Sequence, residues 1–359
     1  MKETASIAIL PGDGIGPEVM NEAVLLLQEI EDYDRTFSCE MNEFPWNSAY
    51  YLEHGRMMPA DGLAQLRSFD AILFGAMGDS SVPDEVTVWD FIMPIRKQFQ
   101  QYINFRPVKK LEGIRSPLAE SEDVDFVIIR ENAEGEYSNS GGRLYDHTNE
   151  AMAIQNTIMT EKGIRRAADF AFQYAKEHGL PVTSATKSNA VIHSMKFWDE
   201  VVQKTAEAFP EIALEKIYVD ALAAYFVQRP QSFGVVLASN LFGDILSDLG
   251  SALVGGLGIS PSGNLNPSGD YPSMFEPVHG SAPDIAGQGI ANPIAQIWSA
   301  ALMLDHLGRK DLHDMVVTAI EKTLAEGYRT KDLGGEHSTK EMGEAIRANV
   351  RKQLQEVAV

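Results

Sequence analysis

Apolar residues in this chain fall in short continuous runs separated by longer stretches with helical spacing. The run at 5–10 leads into PGDGIGPEV, which reads as a tight strand-to-helix turn with Pro17 in the first helical turn. Helical spacing continues over 19–30. FDAILFGA at 69–76 and DFVIIREN at 125–132 read as buried strands. Thr160 is placed to cap a helix running to about residue 176. PVTSAT, a helix from about residue 190, ALEKIYVDALAAYFV and FGVVLAS carry the alternation on, and helices over 293–307, 311–324 and 340–357 close the chain. Such alternation predicts an α/β fold with a mainly parallel core sheet. Segment 135–158 differs: it is polar and loop-like, then alternating. It admits two readings, an arm that pairs with a partner subunit or a plain surface excursion.

At 359 residues the chain is long enough for two domains, given roughly 150 residues per domain. No linker or internal repeat marks a boundary. Lys and Arg number 30 against 51 Asp and Glu, a net charge of −21. That balance argues against nucleic acid, whose phosphates are neutralised by Lys and Arg, and against an anionic membrane surface. A single cysteine, Cys39, excludes an internal disulfide and a multi-thiolate metal site. The longest uncharged stretch, 249–269, is rich in Gly, Ser, Pro and Asn, so it reads as turns and not as a membrane span. The apolar run near the N-terminus is too short for a signal peptide, and the expected location is the cytoplasm.

Four segments carry candidate chemistry. GDGIGP at 12–17 is an incomplete dinucleotide fingerprint, with Pro17 where the third glycine belongs, so a Rossmann site is not expected there. In SNLFGDILSDLG at 239–250, Asp244 and Asp248 are four residues apart, on one face of a helix that its apolar neighbours should bury. Such a pair could hold a hard divalent cation or form a solvated polar stripe. Spacing alone does not choose between them. Arg96, Arg106 and Arg130 offer guanidinium forks for carboxylates, but the sequence does not show whether they converge. FEPVHGSAPDIAGQGIANP at 275–293 is long and Gly-rich, as functional loops are. Its Asp284 could accept from ribose hydroxyls and would repel a 2′-phosphate.

Taken in order, PGDGIGPEV, the three arginines, RENAEGEY, TSATKSN, VDALAAYFV, SNLFGDILSDLG and EPVHGSAPDIAGQGIANP resemble the β-decarboxylating dehydrogenases across nearly the whole chain. Segments 44–59 and 82–108 and GNLNPSGDYPSMFEPVHGSAPD are similar to the tartrate and D-malate branch of that family. The resemblance implies an isopropylmalate-dehydrogenase-like two-domain fold with a large mixed sheet, not a Rossmann fold. Residues 1–101 with 258–359 would form an NAD-binding domain, and 102–257 a substrate, metal and dimerisation domain. It implies that Tyr137 is the proton donor and Lys187 the base, and that Arg96, Arg106 and Arg130 clamp substrate carboxylates. Asp220, Asp244 and Asp248 would hold Mg²⁺ or Mn²⁺, with K⁺ an activator in some relatives. His279, Gly280, Ser281, Ala282, Asp284, Ile290 and Asn292 would form the adenosine pocket. The family's NADP enzymes carry Lys in place of Asp284. A homodimer with shared active sites is expected, in which Lys187 and Asp220 serve the partner's site.

The implied activity is NAD-dependent oxidation and β-decarboxylation of a 2-hydroxy dicarboxylate: D-malate to pyruvate and CO₂, or tartrate to oxaloglycolate. The alternative within the family is 3-isopropylmalate. Against it, Trp89, Asp90, Phe91, Ile92 and Met93 stand where isopropylmalate enzymes carry Glu-Thr-Gly-Leu-Leu. Two other classes are weaker readings. A nucleotide-free, Mg²⁺-dependent lyase would leave the EPVHGSAPD loop without a role, and a non-catalytic relative would not need Tyr137, Lys187 and the aspartates.

Overall fold

The computed structural model describes residues 3–118 and 124–357. The chain divides into two compact units. One comprises Met1–Gln101, Lys109–Ser121 and Ser251–Val359, the other Tyr102–Val108 and Glu122–Gly250.

In the first unit the strands are β1 (Glu3–Gly12), β2 (Phe37–Glu43), β3 (Ala71–Ala76), β11 (Pro261–Leu265) and β12 (Ser273–Pro277). Their order is β2-β1-β3-β12-β11. β1 runs parallel to β2 and β3, and β3 parallel to β12, while β11 and β12 are antiparallel. Ile7 to Leu10 and all of β3 are buried, which is why parallel strands covered on both faces read as unbroken apolar runs. Helix Ile294–His306 is buried all round from Ile294 to Leu304, the mark of a helix inside the core. It packs on β11 and β12 and on helices Gly16–Tyr33 and Lys310–Ala325.

In the second unit β4 (Ile103–Lys109), β5 (Asp125–Glu131), β8 (Val182–Thr186), β9 (Leu214–Tyr218) and β10 (Val235–Ala238) lie in the order β4-β5-β10-β8-β9. Helix Glu161–His178 begins where Thr160 caps the Gly163 N–H and ends at left-handed Gly179. The helix expected from about residue 190 starts at Ser194. The intervening chain is occupied by a turn in which the Ala190 and Val191 N–H groups both donate to the Lys187 carbonyl. A separate antiparallel ribbon pairs β6 (Gly141–Leu144) with β7 (Met152–Gln155). Its strands are exposed throughout.

GDGIGP forms a strand-to-helix turn, with Gly12 and Gly14 at positive φ and helix Gly16–Tyr33 carrying Pro17 in its first turn. Trp89 to Ile92 lie in a π-helical turn, Val88–Ile92, that runs into helix Met93–Gln98. No helix among the described residues is long and apolar enough to cross a membrane.

Candidate active site

Three parallel strands of the second unit deliver functional side chains at their carboxyl ends, the usual ligand side of an α/β sheet. Arg130 sits near the end of β5, Lys187 follows β8, and Asn240 opens helix Asn240–Val254 just after β10. The helix lies against the stem of Arg130. A Cβ at Gly243 would come within 2.6 Å of Arg130 Cβ and Cγ, so glycine at this position permits the approach.

The Arg130 guanidinium is buried and fully engaged. Nε and Nη2 donate to Asn240 Oδ1 at 3.1 and 2.6 Å, and Nη1 to Asp244 Oδ1 at 2.5 Å. Arg106, on the neighbouring β4, donates to Ser247 Oγ. The same Nη1 lies 3.4 Å from Asp244 Oδ1 and 3.6 Å from Asp248 Oδ1. Tyr137 donates to Asp244 Oδ2 at 3.2 Å, with the Arg130 guanidinium carbon 5.7 Å from its ring centroid. Arg106, Arg130, Tyr137, Asp244 and Asp248 are thus one constellation. The helix is less buried than its apolar residues implied: Ile245 is exposed, and the Asp248 side chain is 58% exposed. Partial desolvation, and secondarily the Asp244 charge, raise the Asp248 pKa above the ordinary aspartate value, against the pull of Arg106.

The remaining residues singled out from the sequence lie elsewhere. Lys187 Nζ donates to Asp220 Oδ1 at 2.7 Å, and this hydrogen bond holds the Asp220 carboxyl below its usual range. Among the described residues no group of three or more His, Cys, Asp and Glu is placed to hold a metal. Within one chain the acidic pair Asp244 and Asp248 is what the helix supplies. Arg96 belongs to the first unit, where Nη2 donates to Glu276 Oε1 at 2.8 Å. Glu276 also accepts from Asn264 Nδ2 at 2.6 Å.

The Gly-rich loop is also in the first unit. His279 Nδ1 is 2.9 Å from the Gly280 carbonyl, and its buried Nε2 has no hydrogen-bond partner among the described residues. Burial pushes the His279 pKa down, favouring the neutral ring. Asp284 is exposed, while Ser281 is buried and Ala282 adopts a positive φ of 39°. Asn292 Oδ1 accepts from the Ile294 N–H, and Nδ2 donates to Asp332 Oδ2 at 3.0 Å. Asp332 was not among the residues singled out from sequence. It lies in YRTKDLGG, far along the chain, and its only local cue is a carboxylate in a Gly-rich turn.

The donor sets suit the two groups implied by the motifs. Asp244 and Asp248 present hard oxygens that already share one cation, Arg106, as a divalent ion would require. A histidine with a buried ring nitrogen, in one Gly-rich segment with Asn292 and an exposed Asp284, suits an adenosine.

Residues 6–346 match the family model for isocitrate/isopropylmalate dehydrogenase. The chain is 50% identical to a probable tartrate dehydrogenase/decarboxylase of Bacillus subtilis (strain 168), covering 96% of this chain and 98% of the relative. It is 47% identical to the decarboxylating D-malate dehydrogenase of Escherichia coli (strain K12), with the same coverage. It is 48% identical to the tartrate dehydrogenase/decarboxylase of Pseudomonas putida, covering 95% and 96%. Isocitrate dehydrogenase from Methylococcus capsulatus superposes with a TM-score of 0.87 at 31% identity, over 97% of this chain and 99% of that one. Agreement of family model, full-length relatives and fold leaves one conclusion: the chain is an oxidoreductase that belongs to the isocitrate/isopropylmalate dehydrogenase family.

Proposed function

We propose that the protein oxidises a 2-hydroxy dicarboxylate with NAD⁺ and a divalent metal, Mg²⁺ or Mn²⁺, and releases its β-carboxylate as CO₂. D-malate would give pyruvate, and tartrate would give oxaloglycolate at the oxidation step. The observation that carries this reading is the convergence of Arg106, Arg130 and Tyr137 on Asp244. It combines cations for substrate carboxylates, a phenol for proton transfer and a carboxylate pair for a metal. The names of the full-length relatives favour D-malate and tartrate.

When bound, a divalent ion at Asp244 and Asp248 would acidify the substrate hydroxyl, and NAD⁺ would accept hydride. The chain's own groups do the rest. Arg106 and Arg130 present guanidiniums that pair with carboxylates, as they already do within the chain. Arg96 is assigned the same role from its motif. Lys187 takes the C2 hydroxyl proton as C2 becomes a carbonyl. The C3–C4 bond then breaks, CO₂ leaves, and the electron pair remains as an enolate. Tyr137 delivers a proton to C3 as general acid. His279, Gly280, Ser281, Ala282, Asp284, Ile290 and Asn292 are assigned to the adenosine, and the first and second units to NAD and to substrate and metal.

The functional unit in this reading is a homodimer. Lys187 and Asp220 of one copy would complete the site built on Asp244 and Asp248 of the other. The β6–β7 ribbon supports this. An isolated two-stranded hairpin is marginal in water, and this one exposes Leu144, Tyr145, Met152 and Ile154, a surface that a partner copy would cover. The experiment is NADH formation from D-malate, the tartrate isomers and 3-isopropylmalate with Mn²⁺. D-malate or a tartrate should have the highest kcat/KM. NADH formation from none of them, or a preference for 3-isopropylmalate, overturns the proposal.

A further inference from the structure

The GDGIGP turn is tightly packed against the Gly-rich loop. A Cβ on Gly14 would fall 2.0 Å from the Ser281 carbonyl oxygen. The Ile15 N–H donates to that same oxygen at 2.8 Å. Ser281 belongs to the Gly-rich loop, so the turn and the loop meet backbone to backbone. A second tether holds the other end of the loop: the Glu18 carboxylate accepts from the Gly289 N–H at 3.1 Å. Between the two tethers, Ile15 and Val19 pack with Ala291, and Ala282, Ile285 and Ala286 lie against them.

The turn is itself anchored. Asp13 is buried, and its carboxylate accepts from Ser48 N–H at 2.9 Å, Ser48 Oγ at 2.6 Å and Gly78 N–H at 2.9 Å. Its own N–H donates to the Ala76 carbonyl at 2.8 Å. A buried carboxylate is tolerated when its oxygens are hydrogen-bonded in this way. The result is a chain of fixed distances from β3 through Asp13 and Gly14 to Ser281, with a parallel one through Glu18 to Gly289.

We propose that Glu18, with Ile15 and Asp13 behind it, is a positioning residue for the cofactor. It sets the shape of the 279–292 loop from outside, without touching the nucleotide. This rests on the assignment of that loop to NAD. Glu18 holds one end of a loop whose backbone includes a positive-φ alanine, Ala282, and two positive-φ glycines, Gly287 and Gly289. Thr339 also holds this end, its N–H donating to the Gly289 carbonyl at 2.9 Å and its Oγ1 to the Ala291 carbonyl at 2.6 Å. Releasing the Gly289 N–H therefore loosens the end on its Glu18 side, and the cost appears when the nucleotide must reorder it. Loss of one hydrogen bond of this kind corresponds to roughly a tenfold change in affinity.

The test is equilibrium binding of NADH, followed by fluorescence, in the intact protein and in Glu18→Ala, Glu18→Gln and Ile285→Ala. Steady-state constants and the nucleotide-free melting temperature are measured alongside. Glu18→Ala should weaken NADH binding and raise the KM for NAD⁺ about tenfold, with kcat at saturating NAD⁺ and the KM for the hydroxy acid within about twofold of the parent. Glu18→Gln keeps an acceptor for Gly289 and should recover most of the loss. Ile285→Ala, which loosens the apolar packing of the loop on Ile15 and Val19 between the two tethers, should repeat the pattern, and it stands as the test if Glu18→Ala does not fold. Unchanged NADH affinity in Glu18→Ala and Ile285→Ala overturns the inference. So does an equal rise in both KM values together with a fall in melting temperature, the mark of general destabilisation. Absence of NADH binding in the unaltered protein defeats the NAD assignment itself, a result separate from either.

Discussion

Asp244 accepts from Arg130 and Tyr137 and lies within ion-pair distance of Arg106, so it is too entangled to be altered cleanly. Asp248 is the better probe of the metal assignment, because more than half of its side chain is exposed. Asp248→Asn should weaken Mn²⁺ binding and lower turnover, read by metal titration of the activity and by calorimetry. Unchanged metal dependence and rate would remove Asp248 from the metal site. Tyr137→Phe keeps the ring beside Arg130 and deletes the hydroxyl. General-acid catalysis is typically worth about 10²–10⁴ in rate, so D-malate turnover should fall within that range. Tartrate oxidation, which stops before reprotonation, should fall less. Equal losses on both substrates would place Tyr137 in an earlier step. At the loop, Asp284→Lys replaces an exposed anion with a cation. It should shift the ratio of kcat/KM for NAD⁺ and NADP⁺ towards NADP⁺, because opposite charges attract where like charges repelled. An unmoved ratio would place the 2′-position away from Asp284.

At the scale of elements, the loop after β5 shows how much a motif can hide. RENAEGEY carries Arg130 and Tyr137, but the glutamates between them build the turn. Glu131 is 3% exposed and accepts from the Ala133 and Glu134 N–H groups at 2.9 Å each. Glu134 accepts from both the N–H and Oγ1 of Thr160 at 2.7 Å, and so ties the turn to the next helix. Burial pushes the Glu131 pKa up to about 7 from 4.5. A carboxyl whose folded pKa is raised contributes stability that is whole below pH 4.5 and is lost as pH rises through about 7. The loss is at most on the order of 3 kcal/mol. Glu131→Gln does not ionise, so its melting temperature relative to the parent should improve as pH goes from 5 to 8. A pH-independent difference would show that Glu131 does not titrate in that window. Legibility followed the same physics. β8, Val-Thr-Ser-Ala-Thr, was legible from its place in the alternation, while β1, β3, β5 and β10 were visible because strands buried on both faces are continuously apolar. β11 and β12 were not, since Ser262, Asn264, Ser273 and Glu276 are buried there with hydrogen bonds in place of apolar contacts. Within the site, the four-residue spacing placed Asp244 and Asp248 on one helix face. The pairing of Arg106 and Arg130 around Asp244 needed β4 beside β5, a non-local fact that no local pattern encodes.

For the whole molecule, the decisive question is how many copies make one site. The acidic pair on helix Asn240–Val254 and the Lys187–Asp220 pair are separate features of one chain, and among the described residues no third metal-ligating side chain joins Asp244 and Asp248. If two copies share each site, damage to different halves should complement. Lys187→Met removes the base and leaves Asp248 intact, while Asp248→Asn does the reverse. Each homodimer would be inactive at both of its sites. A heterodimer would combine the damaged halves at one site and the two intact halves at the other, so it should regain up to half of the parental activity per dimer. Lys187→Met must first be shown to fold and dimerise, by circular dichroism and sedimentation. The mixed species is then isolated by differential tagging, because subunit exchange can be slow and a null result from simple mixing would be silent. Activity in the purified heterodimer above both parents supports the shared site. A purified heterodimer no more active than its parents means that Lys187 acts with Asp248 of its own chain, or in no active site, and the two-copy site is wrong.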